Sequence, residues 1–108
     1  MSFVTAHVLD ASLGKPAAGV TITLLQADGS EIAQAVTNDD GRVPELGPET
    51  LESGAYRITF GTGDYFGGRG VETFYPSVTV DFTVDAGQKH YHIPLLLSPF
   101  AFSTYRGS

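Results

Sequence analysis

Alternation with a period of two runs through most of this chain. Phe3 to Asp10 (FVTAHVLD) sets Val4, Ala6 and Val8 on one face and Phe3, Thr5, His7 and Leu9 on the other. The first set is uniformly apolar, so it is the expected core face and His7 points away from it. Ala11 to Gly19 carries Gly14, Pro16 and Gly19 and reads as a loop. Val20 to Ala27 is a strand, Asp28-Gly29-Ser30 a hairpin turn, and Glu31 to Thr37 a return strand whose register stays open. Asn38 to Gly41 is a second turn, followed by a short strand over Arg42 to Leu46. Gly47 to Gly54 is a loop, and Ala55 to Gly61 a strand with Tyr56, Ile58 and Phe60 on one side.

Thr62 to Tyr75 has room for one short helix with Asp64 near its start as a cap. Gly67, Gly68 and Gly70 work against it, each by up to about 1 kcal/mol relative to alanine. Ser77 to Val84 alternates most cleanly, with Val78, Val80, Phe82 and Val84 inward. After the turn at Asp85 to Gly87, Lys89 to Leu97 is a strand. Its parity puts Tyr91, Ile93 and Leu95 in the core and His90, His92 and Pro94 on the opposite face. Ser98-Pro99 turns the chain into a last strand over Phe100 to Arg106. The pattern predicts an all-β fold, an antiparallel sandwich of eight short strands.

With 108 residues the chain is expected to form one domain, residues 1–108. At 42% hydrophobic residues it can fill one core. Cysteine is absent, which removes disulfides, thiolate nucleophiles and cysteine-bound zinc. A net charge of −6 with six scattered basic residues argues against nucleic acid and against an anionic membrane surface. No apolar run approaches the roughly 18 residues of a membrane-spanning helix. No secretory signal is evident at the N-terminus. The expected location is cytoplasmic, or periplasmic if a leader has been removed.

His7, His90 and His92 are the only imidazoles, and all three face outward. Taken singly, an outward histidine is usually a solvated surface group. Three invite a His₃ zinc site, but no carboxylate stands at ligand spacing, so no metal is expected. Asp39-Asp40-Gly41 lacks the rest of a calcium loop and reads as a turn. Gly67-Gly68-Arg69-Gly70 has neither dinucleotide nor P-loop spacing. Arg42, straight after a turn glycine, is by position an exposed charge. Ser103 and Ser108 have no nucleophile-elbow context. The residues alone thus give an all-β domain with an outward His/Tyr site and no cofactor motif.

Three segments carry a resemblance. The C-terminal HYHIPLLLSPFAFSTYRGS resembles the signature of the 5-hydroxyisourate hydrolases, the transthyretin-like proteins of purine breakdown. AHVLDASLGKPAAGV and TNDDGR resemble that family's first and central signatures, so the likeness covers essentially the whole chain. In the hormone carrier transthyretin the Tyr-Arg-Gly-Ser ending is replaced and the histidine positions carry other residues, so the resemblance is to the enzyme branch. The chain departs from the family mainly at Gly67 and Gly68.

The resemblance implies an eight-stranded antiparallel transthyretin-like sandwich with one short helix. It further implies a homotetramer with sites at a subunit interface along a central channel, and no cofactor. The implied reaction is hydrolysis of 5-hydroxyisourate to 2-oxo-4-hydroxy-4-carboxy-5-ureidoimidazoline. The implied catalytic set is His7, Arg42, His92 and Ser108, with His7, Arg42, Tyr105 and Arg106 binding substrate and Gly107 in the terminal motif. Parity allows either His90 or His92, and the resemblance selects His92, leaving His90 as a rim or supporting residue. Tyr105 is expected to close the pocket, and Arg106 with the Ser108 carboxylate to order the terminus. A tag after Ser108 is then expected to impair activity more than one before Met1. Two other classes stay in view: a carrier of a small aromatic ligand, whose channel Tyr105 would obstruct, and a plain sandwich interaction module.

Overall fold

The computed structural model describes residues 2–107. Among them are nine strands and one helix, arranged as two sheets face to face. The first sheet holds β1 (Val4–Asp10), β2 (Lys15–Pro16), β5 (Arg42–Val43), β8 (Tyr91–Ser98) and β9 (Ala101–Thr104). Its order is β2-β1-β8-β9, with β5 also paired to β1. The second runs β4-β3-β6-β7, from β3 (Thr21–Gln26), β4 (Glu31–Val36), β6 (Gly54–Phe60) and β7 (Val78–Val84).

The apolar faces predicted by alternation meet between the sheets. Val4, Ala6 and Val8 of β1 are buried, as are Ile22 and Leu24 of β3, Ile58 and Phe60 of β6, and Ile93 and Leu95 of β8. The sandwich and the single short helix are as expected, with nine strands in place of eight and several differences in detail. The Ala11 to Gly19 loop contains the two-residue strand β2, which pairs Leu9 with Pro16 and Asp10 with Lys15. One pairing, β1 with β8, is parallel, and it is the longest in the first sheet. Hairpin turns force consecutive strands to be antiparallel, but strands from opposite ends of a chain are under no such constraint.

The helix α1 spans Thr62–Gly68. Asp64 is not its cap: the N-cap is Gly61, without a side-chain cap hydrogen bond, and Asp64 lies in the first turn, where its charge suits the helix dipole. Three glycines, Gly63, Gly67 and Gly68, leave such a helix little intrinsic stability, and tertiary contacts supply it. Thr62 and Phe66, one turn apart, are fully buried. Tyr65 and Arg69, on the neighbouring stripe, both bond the Asp10 carboxylate at the end of β1.

The last strand is shorter than predicted, ending at Thr104 rather than Arg106. Pro94 explains this. It lacks an N–H, so the ladder between β8 and β9 is interrupted opposite Tyr105. The Thr104 hydroxyl takes the Pro94 carbonyl instead, at 2.7 Å. Pairing resumes in the same register at Gly107, whose N–H donates to the His92 carbonyl at 2.8 Å. No described helix is long and apolar enough to cross a membrane.

Candidate active site

Two local features put an arginine beside a histidine. Asn38 organises the turn before β5: its side-chain oxygen accepts from the N–H groups of Asp40 and Arg42, and its own N–H donates to the Arg42 carbonyl. Gly41 closes the turn at φ +73°, where a Cβ would also collide with the Val8 carbonyl, so only glycine fits. The Gly41 carbonyl in turn accepts from the Val8 N–H at 2.7 Å, which docks the turn on β1. Arg42 then stands directly opposite His7.

The parallel pairing brings the other histidines to the same face. Thr5 is opposite His92, and His7 opposite Pro94. The His7 and His92 ring centroids are 6.4 Å apart. His90 and His92, two apart on one face, have nearly parallel rings, also 6.4 Å apart. The Thr5 hydroxyl lies between these last two, 2.9 Å from His90 Nε2 and 2.8 Å from His92 Nδ1. A cleft of about 350 Å³ opens over this face, lined by Thr5, Arg42, Glu45, His90 and His92 among others.

The electrostatics favour neutral imidazoles. His92 titrates below the ordinary value of 6.5, first because it is partly desolvated and then because Arg42, His7 and His90 are positive or become so. His7 is also lowered, by desolvation and by Arg42, which together outweigh the hydrogen bond to the Asp40 carbonyl and the charge of Asp40. The Arg42 guanidinium, beside two neutral rings, offers an electron-rich ligand a planar fork of donors, while Glu45 brings a carboxylate to the same cleft.

Of the residues singled out from sequence, His7, Arg42 and His92 come together. Tyr105 and Arg106 do not line the cleft. Tyr105 is 60% exposed and lines a second cavity of about 330 Å³ with Val80 and Phe82 of the other sheet, touching the first cleft only through their shared wall, His92. Arg106 lies over the Tyr91 ring, its guanidinium carbon 4.5 Å from the centroid. Ser108 falls outside the described residues. Gly107 is placed closely: a Cβ there would come within 2.6 Å of His92 Cδ2, so a side chain would push the imidazole from its place. Sequence reasoning set Thr5 on the same face as His7 but gave it no role, and did not consider Glu45. The signal for Thr5 was its position two residues before His7.

A family model described as the HIUase/Transthyretin family matches residues 4–107. The chain belongs to this family. It is 40% identical, over 99% of its length and 82% of the relative's, to a protein of Salmonella typhimurium named 5-hydroxyisourate hydrolase. With a protein of the same name from Caulobacter vibrioides the identity is 42% and both chains are covered in full. Among solved structures, it resembles Klebsiella pneumoniae 5-hydroxyisourate hydrolase with a TM-score of 0.90 at 40% identity, covering 100% of this chain and 94% of that one. Transthyretin from Sparus aurata fits as well, with a TM-score of 0.91 at 33% identity, covering 99% and 97%. The backbone of this HIUase/transthyretin member therefore does not separate a 5-hydroxyisourate hydrolase from a transthyretin. Side chains on the outer face of β1, β5 and β8 have to do so.

Proposed function

We propose that this protein hydrolyses 5-hydroxyisourate, opening its six-membered ring at the N1–C6 amide bond as a step of urate degradation. The observation that carries the reading is the convergence of His7, Arg42 and His92 through two strand pairings, His7 with Arg42 and Thr5 with His92. The 40–45% identity to relatives named for this activity supports it. Water must lose a proton as it attacks C6, the C6 oxygen must be stabilised as it becomes an oxyanion, and N1 must gain a proton as it leaves. Two neutral imidazoles can serve as base and acid. Arg42 can hold the planar, oxygen-rich substrate and the developing charge. The product of this scission is 2-oxo-4-hydroxy-4-carboxy-5-ureidoimidazoline.

No covalent intermediate and no metal are called for in this scheme. The acting unit is a homotetramer of the single domain, with the His face of one subunit closed by another and Tyr105, Arg106 and the Ser108 carboxylate completing the pocket. The location is cytoplasmic, or periplasmic if a leader precedes the chain. A carrier of an aromatic ligand would have no use for two adjacent imidazoles and a guanidinium on its binding face.

The assay is direct. Urate oxidase generates 5-hydroxyisourate, and its absorbance decays slowly by itself. Adding this protein is expected to accelerate the decay, with or without a chelator. Decay at the spontaneous rate would overturn the hydrolase reading, and loss of activity with chelator would replace the metal-free scheme. Light scattering is expected to give four times the 11.4 kDa of one chain.

The acid limb of kcat/KM follows from the titration of the two histidines. Both need to be neutral at the start of the cycle, and both hold their protons less tightly than a free imidazole. Their neutral forms therefore persist to lower pH, and the acid limb is expected below pH 6.5, the ordinary histidine value. A limb centred above that value would contradict the neutral-pair scheme.

A further inference from the structure

The contacts of Thr5 and His7 bear on which imidazole is the acid and which the base. A hydroxyl has one proton, so the Thr5 side chain, which touches two ring nitrogens, donates to one and accepts from the other. The tautomers of His90 and His92 are thereby tied together. If Thr5 donates to His90 Nε2, a neutral His90 carries its proton on Nδ1. That atom is buried and has no hydrogen-bond partner among the described residues. The arrangement would strand a buried N–H, which folded proteins avoid more strictly than a bare acceptor. In the opposite arrangement His90 Nε2–H donates to Thr5, Thr5 donates to His92 Nδ1, and only a lone pair is stranded. The neutral His92 ring then carries its proton on Nε2.

His7 is fixed by a separate contact. Its Nε2 lies 3.0 Å from the Asp40 carbonyl, and a carbonyl only accepts. His7 Nε2 is therefore the protonated nitrogen, and its Nδ1 is the free lone pair.

We propose that Thr5 is a positioning residue which, backed by His90, holds His92 as its Nε2–H tautomer, so that His92 is the proton donor of the site and His7, through Nδ1, takes the proton of water. The inference rests on the hydrolase reading and assigns the two imidazoles within it. Before reaction, the donor proton is on His92 Nε2 and the acceptor is His7 Nδ1. After ring opening, N1 carries the proton from His92, which is left as an imidazolate accepting from the Thr5 hydroxyl, and His7, now an imidazolium, carries the proton from water. Transfer back through solvent restores the start. His90 transfers no proton in this scheme; it lines the cleft and supports Thr5.

Nitrogen-detected NMR of the imidazoles, at a pH where the rings are neutral, reads the tautomers with no substrate present. The expected spectrum has His92 and His7 protonated at Nε2 and bare at Nδ1. Thr5→Val keeps the shape and removes the hydroxyl. It is expected to lower kcat/KM roughly 10- to 100-fold, the range seen when the hydrogen bond behind a metal-bound histidine is removed, and to shift the His92 nitrogen signals towards a tautomer mixture. Thr5→Ser is expected to restore both rate and spectrum, which a purely packing role for the threonine methyl would not allow. A wild-type His92 protonated at Nδ1 overturns the proposal, and so does a Thr5→Val enzyme of wild-type rate. Should the wild type fail to hydrolyse 5-hydroxyisourate, the hydrolase reading falls, while the wild-type and Thr5→Ser spectra still decide the tautomer assignment.

Discussion

His92→Ala is expected to lower kcat/KM for 5-hydroxyisourate by about two to four orders of magnitude, the usual range for a positioned acid or base. The loss has to appear mainly in kcat, because the ring acts on a proton in flight rather than on the bound ground state. Folding should be little changed, since His92 lies on the outer face of β8 and its neighbours Tyr91 and Ile93 carry the core contacts. Arg42→Ala is expected to cost at least about 10²-fold, with KM also raised, because a guanidinium facing substrate binds it as well as stabilising the oxyanion. The double variant Thr5→Val/His92→Ala separates positioning from direct action. If Thr5 works only through His92, adding Thr5→Val to His92→Ala costs nothing further. Steady-state kinetics of the two single variants and the double settle it, and a near-wild-type rate for His92→Ala or Arg42→Ala would remove that residue from the catalytic set.

What the sequence revealed of this site, and what it concealed, follow from one distinction. Parity is local. It placed His7 and His92 outside the core because Val4, Ala6 and Val8, and Tyr91, Ile93 and Leu95, form unmixed apolar sets, and the structure buries those six residues. The Asn38 to Gly41 turn was legible for the same reason: its residues make their own hydrogen bonds. The pairing of β1 with β8 is not local. No turn sets its register, yet it is what carries Thr5 to His92. The docking of Gly41 on Val8, which delivers Arg42 to His7, is equally tertiary. Tyr105 and Arg106 were read as strand residues because the consequence of Pro94 falls on the partner strand, not on its own.

The position of the helix is signalled by Asp10. Asp10 continues the alternation of Val4, Ala6 and Val8, so parity alone places a carboxylate on the core face. Its side chain is fully buried. Such a group requires partners, and finding them would have located the helix from the sequence.

Asp10→Ala is accordingly expected to be strongly destabilising although it lies outside the active site. Its carboxylate accepts from the Ser12 and Leu13 N–H groups, the Ser12 hydroxyl, the Tyr65 hydroxyl at 2.8 Å and the Arg69 guanidinium at 2.9 Å. Burial opposes its ionisation, but the bonds from Ser12, Tyr65 and Leu13 and the charge of Arg69 outweigh that, and it titrates below the usual carboxylate value of 3.8. Truncation strands these donors at once and releases α1 from β1. Breaking a buried pair in this way costs about 3–5 kcal/mol. The lower end applies here, because the Arg69 side chain is one-third exposed and can turn to water. A cost of about 3 kcal/mol corresponds to a fall of roughly 10–20 °C in Tm for a domain of this size. Arg69→Ala should cost only about 1 kcal/mol, since Tyr65, Ser12 and Leu13 still satisfy the carboxylate. The pH dependence has a definite sign. A carboxyl whose folded pKa is depressed stabilises the fold above its unfolded value, and that stabilisation is lost as pH falls through the folded one. The gap in Tm between wild type and Asp10→Ala should therefore hold through mildly acid solution and close only below the unfolded carboxylate value of about 3.9. Thermal melts of the wild type and both variants across that range test the cluster, and an Asp10→Ala protein that melts with the wild type would show that α1 is held by Phe66 and Thr62 alone.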